Sequence, residues 1–311
     1  MTGASPPPPA SQPQTVFDRG LHAKRRTRAA GKFDDFAFLK DRAVDDIIER
    51  LEAIPRPFQR TLDLGAHDGR LGKSLATVPD LASRLGDVFS SDLSPAFLSH
   101  HAGLPLAADE EWLPFKPKSF DCILSALSLH WVNDLPGALV QIRQALSPDG
   151  LFIGQMIGGA SLHELRSCLM TAETEIRGGA AMRVSPFADV TDISALLQRA
   201  GFVLPVADTD TVTVRYTSPF RLLQDLRGMG EANAPAQKTP PLTRAILFRA
   251  MELYAERHSD KDGKVIATFE MITASGWSPG PNQPKPLKPG SAKSRLADAL
   301  GVTGKSAETE D

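Results

Sequence analysis

Short apolar runs alternate with amphipathic stretches through the middle of this 311-residue chain. The apolar runs predict strands at residues 61–65, 87–91, 104–108, 120–125 and 151–156. Apolar residues at three- and four-residue spacing predict helices at 70–78, from 94, at 133–146 and at 162–177. Strands that alternate with helices in this way form a parallel sheet with helices on both faces. The pattern therefore predicts a doubly wound α/β fold.

Similar signals continue on both sides of this region. A helix is predicted at 36–54, where Pro55 and Pro57 end it. Later in the chain, the pattern predicts strands at 209–216 and 265–275 and helices at 193–200, 220–228 and 242–258. The fold class is then a mostly parallel, seven-stranded, Rossmann-like sheet with a helical insertion before the last strand. The predicted organisation is a disordered Pro-rich tail (1–16), a basic segment and helix (17–58), a ligand-binding domain (59–278, with its insertion at 218–258) and a disordered tail (279–311).

Composition narrows the function only by exclusion. The chain is 41% apolar and 23% charged, with a net charge of −2. This charge gives no overall field that would recruit nucleic acid, so nucleic acid is not an expected partner. No apolar run approaches the roughly 20 residues of a membrane span, so no membrane-spanning helix is expected. Cys122 and Cys168 both fall in apolar runs and are predicted to be reduced thiols in the core. A cytoplasmic location fits this cysteine usage.

The turn after the first strand carries the strongest chemical signal. The chain there reads Asp63-Leu64-Gly65-Ala66-His67-Asp68-Gly69. A dinucleotide fingerprint needs glycine at its first, third and sixth positions, which here are Gly65, His67 and Arg70, so that motif fails. A phosphate-binding loop fails too, because no Gly-Lys-Ser/Thr follows. An acid two residues before the first glycine suits a cationic ligand and would repel a pyrophosphate.

Further acids follow the next two strands, at the edge where ligands bind in open α/β sheets. Asp92 ends the second strand, and its carboxylate can accept two hydrogen bonds from a ribose diol. Asp109 and Glu110 follow the third strand and can accept from an adenine amino group. These spacings predict an S-adenosylmethionine pocket and no metal. Its predicted contact residues are Asp63, Gly65, Ala66, His67, Gly69, Asp92, Leu93, Asp109, Glu110 and Ser125.

Residues for catalysis and substrate binding are less clearly marked. His130 and Trp131 follow the fourth strand. They are either a general base and a ring that packs on the substrate, or residues that only pack in the core. Residues 183–187 are a candidate loop over the pocket. The basic segment 19–32 is interpreted first as a solvated amphipathic entry segment, with a lid over the cofactor as the alternative. Glu164 and Glu175, together with Asp225 or Glu231, could bind a guanidinium, and a solvated helix surface is the alternative for them.

The motifs from Asp63 to Gly69, at Asp92 and at Asp109-Glu110 resemble those of class I S-adenosylmethionine-dependent methyltransferases. The family's usual middle glycine is replaced by His67. Residues 125–131 extend the resemblance to the malonyl-carrier-protein methyltransferases of biotin synthesis. A closer resemblance, over about 17–277, is to the family of mitochondrial complex I assembly factor 5 and its bacterial relatives. It rests on the segments SALSLHWVNDLP (125–136), HELRSCLMTAETE (163–175), SPF (185–187), LLQRAGF (196–202), LQDLRGMGEAN (223–233) and ATFEMITASGW (267–277).

That resemblance implies a methyltransferase fold that hydroxylates an arginine in a subunit of respiratory complex I (NADH-quinone oxidoreductase). It also implies a cytoplasmic protein that associates peripherally with the inner membrane during assembly. The residues themselves do not supply an oxygenase site, because no His-x-Asp/Glu pair occurs among the seven histidines. Arginine hydroxylation and methylation both stay open. Methylation of a small molecule or an acyl-carrier thioester is also open, and so is a non-catalytic role as an assembly chaperone.

Overall fold

The computed structural model describes residues 15–99, 101, 104–281 and 283. It contains one seven-stranded sheet in the order β3-β2-β1-β4-β5-β7-β6. The first five strands are parallel, and β7 runs antiparallel between β5 and β6. The strands are β1 (Phe58–Leu64), β2 (Leu85–Asp92), β3 (Leu104–Ala107), β4 (Phe120–Ala126), β5 (Leu146–Ile157), β6 (Val203–Tyr216) and β7 (Val265–Trp277).

The described residues also form ten α-helices, which cover the sheet. They are α1 (Arg19–Ala29), α2 (Phe38–Glu52), α3 (Arg70–Thr77), α4 (Pro79–Arg84), α5 (Pro95–Leu98), α6 (Leu135–Ala145), α7 (His163–Arg177), α8 (Val190–Arg199), α9 (Pro219–Gly228) and α10 (Arg244–Arg257). Short 3₁₀ helices lie at Ala30–Phe36 and Leu129–Trp131. No helix in the described part of the chain is long and apolar enough to cross a membrane.

Two hydrophobic cores, one on each face of the sheet, account for the fold. One core joins the sheet to α2, α3, α7, α9 and α10, and the other joins it to α6 and α8. Both faces of β1, β4 and β5 are therefore buried, as parallel strands require. The predicted α/β class and the helical insertion, formed by α9 and α10 between β6 and β7, are confirmed. Both cysteines are buried and free, as predicted.

Several element boundaries differ from the sequence prediction. Helix α5 is a single turn, and β6 begins six residues earlier than predicted. Residues 147–150, which precede the predicted strand 151–156, lie within β5, where Asp149 takes a φ of 60° and the pairing with β4 shifts register. The predicted tail residues 1–14 and 284–311 lie outside the described residues, and the domain boundaries stay a prediction.

The basic N-terminal segment is amphipathic, as first interpreted, but it is only partly solvated. It forms α1, which buries His22, Arg26 and Ala29. The chain just before α1 is also fixed, because Phe17 pairs with Pro235 and the Asp18 N–H donates to the Ala234 carbonyl at 2.8 Å. A charged segment is buried here because carboxylates from distant parts of the chain neutralise it.

Candidate functional site

The turn after β1 brings its backbone close to two neighbouring elements. The Gly65 and Ala66 N–H groups donate to the Ser91 carbonyl at 2.8 and 2.9 Å, which ties the turn to the end of β2. Gly65 has a φ of 71°, and a Cβ there would lie 2.2 Å from Ser128 Cβ. Only glycine fits both conditions. Gly69 is likewise left-handed, at a φ of 76°, and begins α3.

Asp63 presents an unpartnered carboxylate at the end of β1. Its side chain is fully buried, and neither oxygen has a hydrogen-bond partner among the described residues. Burial raises the pKa of Asp63 to about 7, and the nearby Lys40 ammonium opposes that rise. A buried acid with both oxygens free is costly unless a ligand supplies donors or positive charge. The geometry therefore fits a cationic ligand.

Lys40 on α2 is the buried cation beside this carboxylate. Its Nζ donates to the Ala126 carbonyl at 2.6 Å and to the Gly65 carbonyl at 3.2 Å, and it lies 3.0 Å from His67 Nδ1. Burial lowers the pKa of Lys40 to about 8, while Asp63 opposes that fall. The sequence prediction missed this residue. Its signal was a lysine within the apolar stripe of a helix, four residues before Val44.

Asp92 lies where β2 ends, as predicted, and its carboxylate accepts three hydrogen bonds. It accepts the His67 N–H at 2.9 Å and the Ser94 N–H at 2.7 Å. The Arg26 guanidinium of α1 donates to the same carboxylate and lies 2.6 Å from His67 Nε2. It also stacks over Phe97, 5.1 Å from the ring centre. A side chain of α1 therefore holds the predicted ribose acceptor.

Asp109 and Glu110 lie beyond β3 and are held by a second arginine of α1. Arg19 donates to Asp109 at 2.5 Å and also to Glu110. Glu110 accepts the Ser128 hydroxyl at 2.6 Å, and its Oε1 lies 3.2 Å from the point where a Gly65 Cβ would be. The predicted acids thus converge at the carboxyl edge of the sheet, and side chains of α1 fill the space between them, which we call the acidic crevice. The role of each as a cofactor contact stays a prediction.

His67 occupies the place of the middle glycine with a left-handed backbone, at a φ of 54°. Its ring packs between Phe33 and Phe97, at centroid distances of 5.3 and 5.4 Å. Burial lowers the pKa of His67 well below its usual value, and the charges of Arg26 and Lys40 lower it further. The imidazole is therefore neutral with one acceptor nitrogen: its Nε2 accepts from Arg26, and its Nδ1 donates to the Gly65 carbonyl at 2.7 Å.

Two other predicted contacts lie differently from the acids. Ser125 is buried within β4, and its hydroxyl donates to the Leu64 carbonyl at 2.8 Å, so that it joins two strands. Leu93 is half-buried between Asp92 and Ser94. Ser125 therefore has its own backbone partner, and the remaining predicted contacts lie on the strand-end turns.

His130 and Trp131 follow β4 and share a carboxylate that comes from the insertion. Glu231 accepts the Trp131 indole N–H at 2.6 Å and lies 3.0 Å from His130 Nε2. His22 of α1 stacks on the indole, with ring centres 4.4 Å apart. Burial alone would raise the pKa of Glu231, but His130 and the indole hydrogen bond hold it below the usual value. This carboxylate is therefore ionised at neutral pH.

A cavity of about 360 Å³ adjoins His130. Its lining is mainly apolar and includes Phe17, Leu135 and Phe187, with Asp192 and Arg199 as charged groups. Phe187 also packs edge-on against the His130 ring, 5.2 Å between centres. Pro186 and Phe187 of the candidate loop 183–187 thus lie beside the His130 site, and the role of the loop over the pocket stays a prediction.

The acids considered for a guanidinium site are dispersed. Glu164 accepts the Thr268 hydroxyl at 2.5 Å and so fixes α7 to β7. Glu175 is paired with Arg249 at 2.8 Å on the outside of the helices. Of the four acids, Glu231 is the one that contacts His130 within the described residues. Glu164 and Glu175 therefore do not share one guanidinium site.

Comparisons with known proteins agree with this architecture. A family model described as a methyltransferase domain matches residues 62–154. The arginine-hydroxylase NDUFAF5 of Danio rerio mitochondria is 39% identical over 94% of this chain and 92% of that protein. A malonyl-[acyl-carrier protein] O-methyltransferase of Halorhodospira halophila is 33% identical over 85% of this chain and 89% of its own. The solved YcgJ protein of Bacillus subtilis shares the fold, with a TM-score of 0.53 at 13% identity over 78% of this chain and all of that one.

Strand order, the antiparallel β7 and the acidic strand ends define a class I S-adenosylmethionine-dependent methyltransferase fold. Within that class, identity over nearly the whole length of both proteins is highest with the arginine-hydroxylases among the relatives compared above. The chain belongs to the NDUFAF5 arginine-hydroxylase family.

Proposed function

We propose that this protein binds S-adenosylmethionine and modifies an arginine of a protein substrate, a subunit of respiratory complex I. The observation that carries the proposal is the buried carboxylate of Asp63, whose oxygens have no partner in the described chain, at the glycine turn of a methyltransferase fold. Full-length similarity to proteins named arginine-hydroxylases supports the choice of arginine.

The chain's own residues fit the parts of this cofactor. Asp63 would face the ammonium group, Asp92 the ribose hydroxyls, and Asp109 with Glu110 the adenine amino group. Gly65 lets the backbone approach closely, since a Cβ there would meet Ser128. When bound, the cofactor supplies a methyl group already activated by its sulfonium, so that positioning is the main task left to the protein.

On the substrate side, Glu231 and His130 are the groups suited to an arginine. The ionised Glu231 carboxylate can pair with a guanidinium, for which carboxylates are the preferred partners. His130 is fixed by that carboxylate, so it is oriented to take or give a proton. The mainly apolar cavity beside His130 would receive the aliphatic stem of the side chain.

Methylation of an acyl-carrier thioester is the second candidate, because the malonyl-carrier-protein methyltransferase of Halorhodospira halophila is 33% identical over most of both chains. That reaction has no need for a guanidinium-binding carboxylate. Glu231 therefore separates the two candidates: its replacement by alanine would abolish arginine modification and leave methyl transfer to a carrier thioester intact.

Mass spectrometry of complex I subunits from a deletion strain tests the reaction directly. An arginine that carries about 16 extra mass units in the parent strain and none in the deletion strain identifies hydroxylation. A difference of about 14 mass units identifies methylation (one oxygen against one methylene). An unchanged arginine in every subunit contradicts the proposal and favours a chaperone. Complementation with the wild-type gene and with Glu231→Ala shows whether the modification depends on this site.

Titration with S-adenosylmethionine tests the cofactor assignment separately. Asp92→Ala removes a charged acceptor, and hydrogen bonds to charged groups contribute roughly 1.5–3 kcal/mol. Asp87→Ala is the matched control, because Asp87 lies on the same strand and its side chain is exposed. Equal affinity in wild type and both variants would remove Asp92 from the site.

A further inference from the structure

The acids that the cofactor needs are held by arginines of the chain itself. Arg26 bonds Asp92, and Arg19 bonds Asp109 and Glu110. Both arginines belong to α1, and Arg26 is only 1% exposed. Each guanidinium thus donates to a carboxylate at the position where a ribose hydroxyl or an adenine amino group would donate.

These contacts and a bound nucleoside exclude one another. Asp92 already accepts from the His67 and Ser94 backbone, so Arg26 takes one of the two remaining acceptor sites, both of which a ribose diol would use. The space is also filled, because Arg26 lies between His67 and Phe97 with almost no exposed surface. A ligand that reaches Asp92 must therefore move Arg26.

Helix α1 is held at its start, where Phe17 pairs with Pro235, and the chain has a break after its end, so a movement of α1 must pivot at its start and break the contacts of Arg25. Arg25 donates to the Ala232 carbonyl at 2.6 Å, and no side chain caps the 3₁₀ helix Ala30–Phe36 that follows α1. Within that 3₁₀ helix, Lys32 leaves helical geometry, with φ −136° and ψ 15°. A break at Lys32 separates α1 from α2, so that α1 can swing without unfolding α2.

The same movement would open the substrate side. His22 of α1 covers the Trp131 indole, and Trp131 is completely buried. Removal of α1 takes away this ring and exposes the pair formed by His130 and Trp131. Cofactor entry and access to His130 are thereby coupled through one helix.

We propose that α1 is an intramolecular competitor of the cofactor: Arg26 and Arg19 close the acidic crevice, and the bound nucleoside replaces them and releases α1. This inference rests on the proposed function and adds to it an order of events, in which the cofactor binds before the protein substrate. The apparent affinity is then the intrinsic affinity reduced by the fraction of molecules whose crevice is open.

Calorimetric titration with S-adenosylhomocysteine, on the full chain, measures this competition. Arg26→Met keeps the apolar stem and removes the guanidinium, so we expect affinity about tenfold tighter or more if α1 is closed in over 90% of molecules. Arg28→Met is the matched control, an exposed arginine of the same helix, and should bind as wild type does. Circular dichroism before titration verifies that both variants are folded.

Limited trypsin digestion reads the position of α1 without any activity assay. The bonds after Lys24, Arg25 and Arg26 lie in the docked helix, where backbone hydrogen bonds protect them. S-adenosylhomocysteine should speed cleavage at these bonds in wild type by several-fold, while cleavage elsewhere stays constant. In Arg26→Met, cleavage in α1 should be fast without ligand.

The outcomes separate the two proposals. Weaker binding by Arg26→Met, or slower cleavage of α1 with ligand, would mean that Arg26 contacts the cofactor, and the competition would be overturned. Equal binding by wild type and Arg26→Met overturns the competition while the proposed cofactor site stands. Binding by neither protein at millimolar ligand removes the proposed function and this inference together.

Discussion

Lowering the pH from 7 to 5 should weaken the binding of S-adenosylmethionine, because binding requires the ionised form of Asp63. The carboxyl group is fully buried without a hydrogen-bond partner among the described residues, and burial raises its pKa to about 7 in the free protein. The ligand's cationic groups favour the carboxylate. A proton must therefore leave Asp63 whenever the ligand binds below pH 7.

The size of the effect follows from the ionised fraction. With a pKa of about 7, the fraction falls from about one half at pH 7 to about one hundredth at pH 5, and affinity falls about fifty-fold. A pKa one unit lower gives about tenfold, so the expected range is about 1.4 to 2.3 kcal/mol. Lys40, with a pKa of about 8, keeps its charge through this window.

Calorimetry at pH 5, 6 and 7 in two buffers of different ionisation enthalpy measures both the affinity and the protons released. The ligand's own amino group stays protonated, since its pKa is about 7.7–8.0. Asp63→Asn should abolish the dependence. Asp68→Asn is the control, because Asp68 lies in the same turn but is paired with Arg70. A flat wild-type profile, or an equal slope in Asp63→Asn, would refute this account of the site.

Two further predictions concern stability. Gly65→Ala places a Cβ 2.2 Å from Ser128 at a φ of 71°. Backbone strain should lower the free energy of unfolding by about 1–2 kcal/mol, and the clash with Ser128 should lower it further. Gly31→Ala, whose added Cβ lies in open space, is the control in the same urea titration. Asp92→Ala leaves Arg26 buried without its counter-charge and should cost about 3–5 kcal/mol. The double variant Arg26→Met/Asp92→Ala should recover part of this loss by urea unfolding, and strictly additive effects would contradict the pairing.

The parallel part of the fold could be predicted because its signal is local. Apolar runs that are buried on both faces mark β1, β4 and β5, and the helices between them carry three- and four-residue spacing. This local signal did not predict that α5 is a single turn or that β6 starts early. Their limits depend on neighbours, since the first half of β6 is fixed by pairing with β7.

The acids of the crevice could be predicted because chain order places them at successive strand ends. The helix that covers these acids could not be predicted, because five basic residues within Arg19–Arg28 are typical of a solvated surface. Their burial depends on Asp92, Asp109 and Glu110, which lie 66 to 91 residues away along the chain. The one local sign was the row His22, Arg26, Ala29 and Phe33, which repeats at three- and four-residue spacing.

The contact between the start of the chain and the insertion also has a consequence for biosynthesis. Arg25 is bonded to the carbonyl of Asn233, 208 residues further along. During translation, the N-terminal helix therefore waits for its partner until residue 233 of 311 has left the ribosome. Contacts of such long sequence separation form late, because loop closure must precede them. A nascent or truncated polypeptide without residues 232 and 233 can form the pairs of Arg19 and Arg26 with the acids, but it lacks the two carbonyls that hold Arg25 of the same helix.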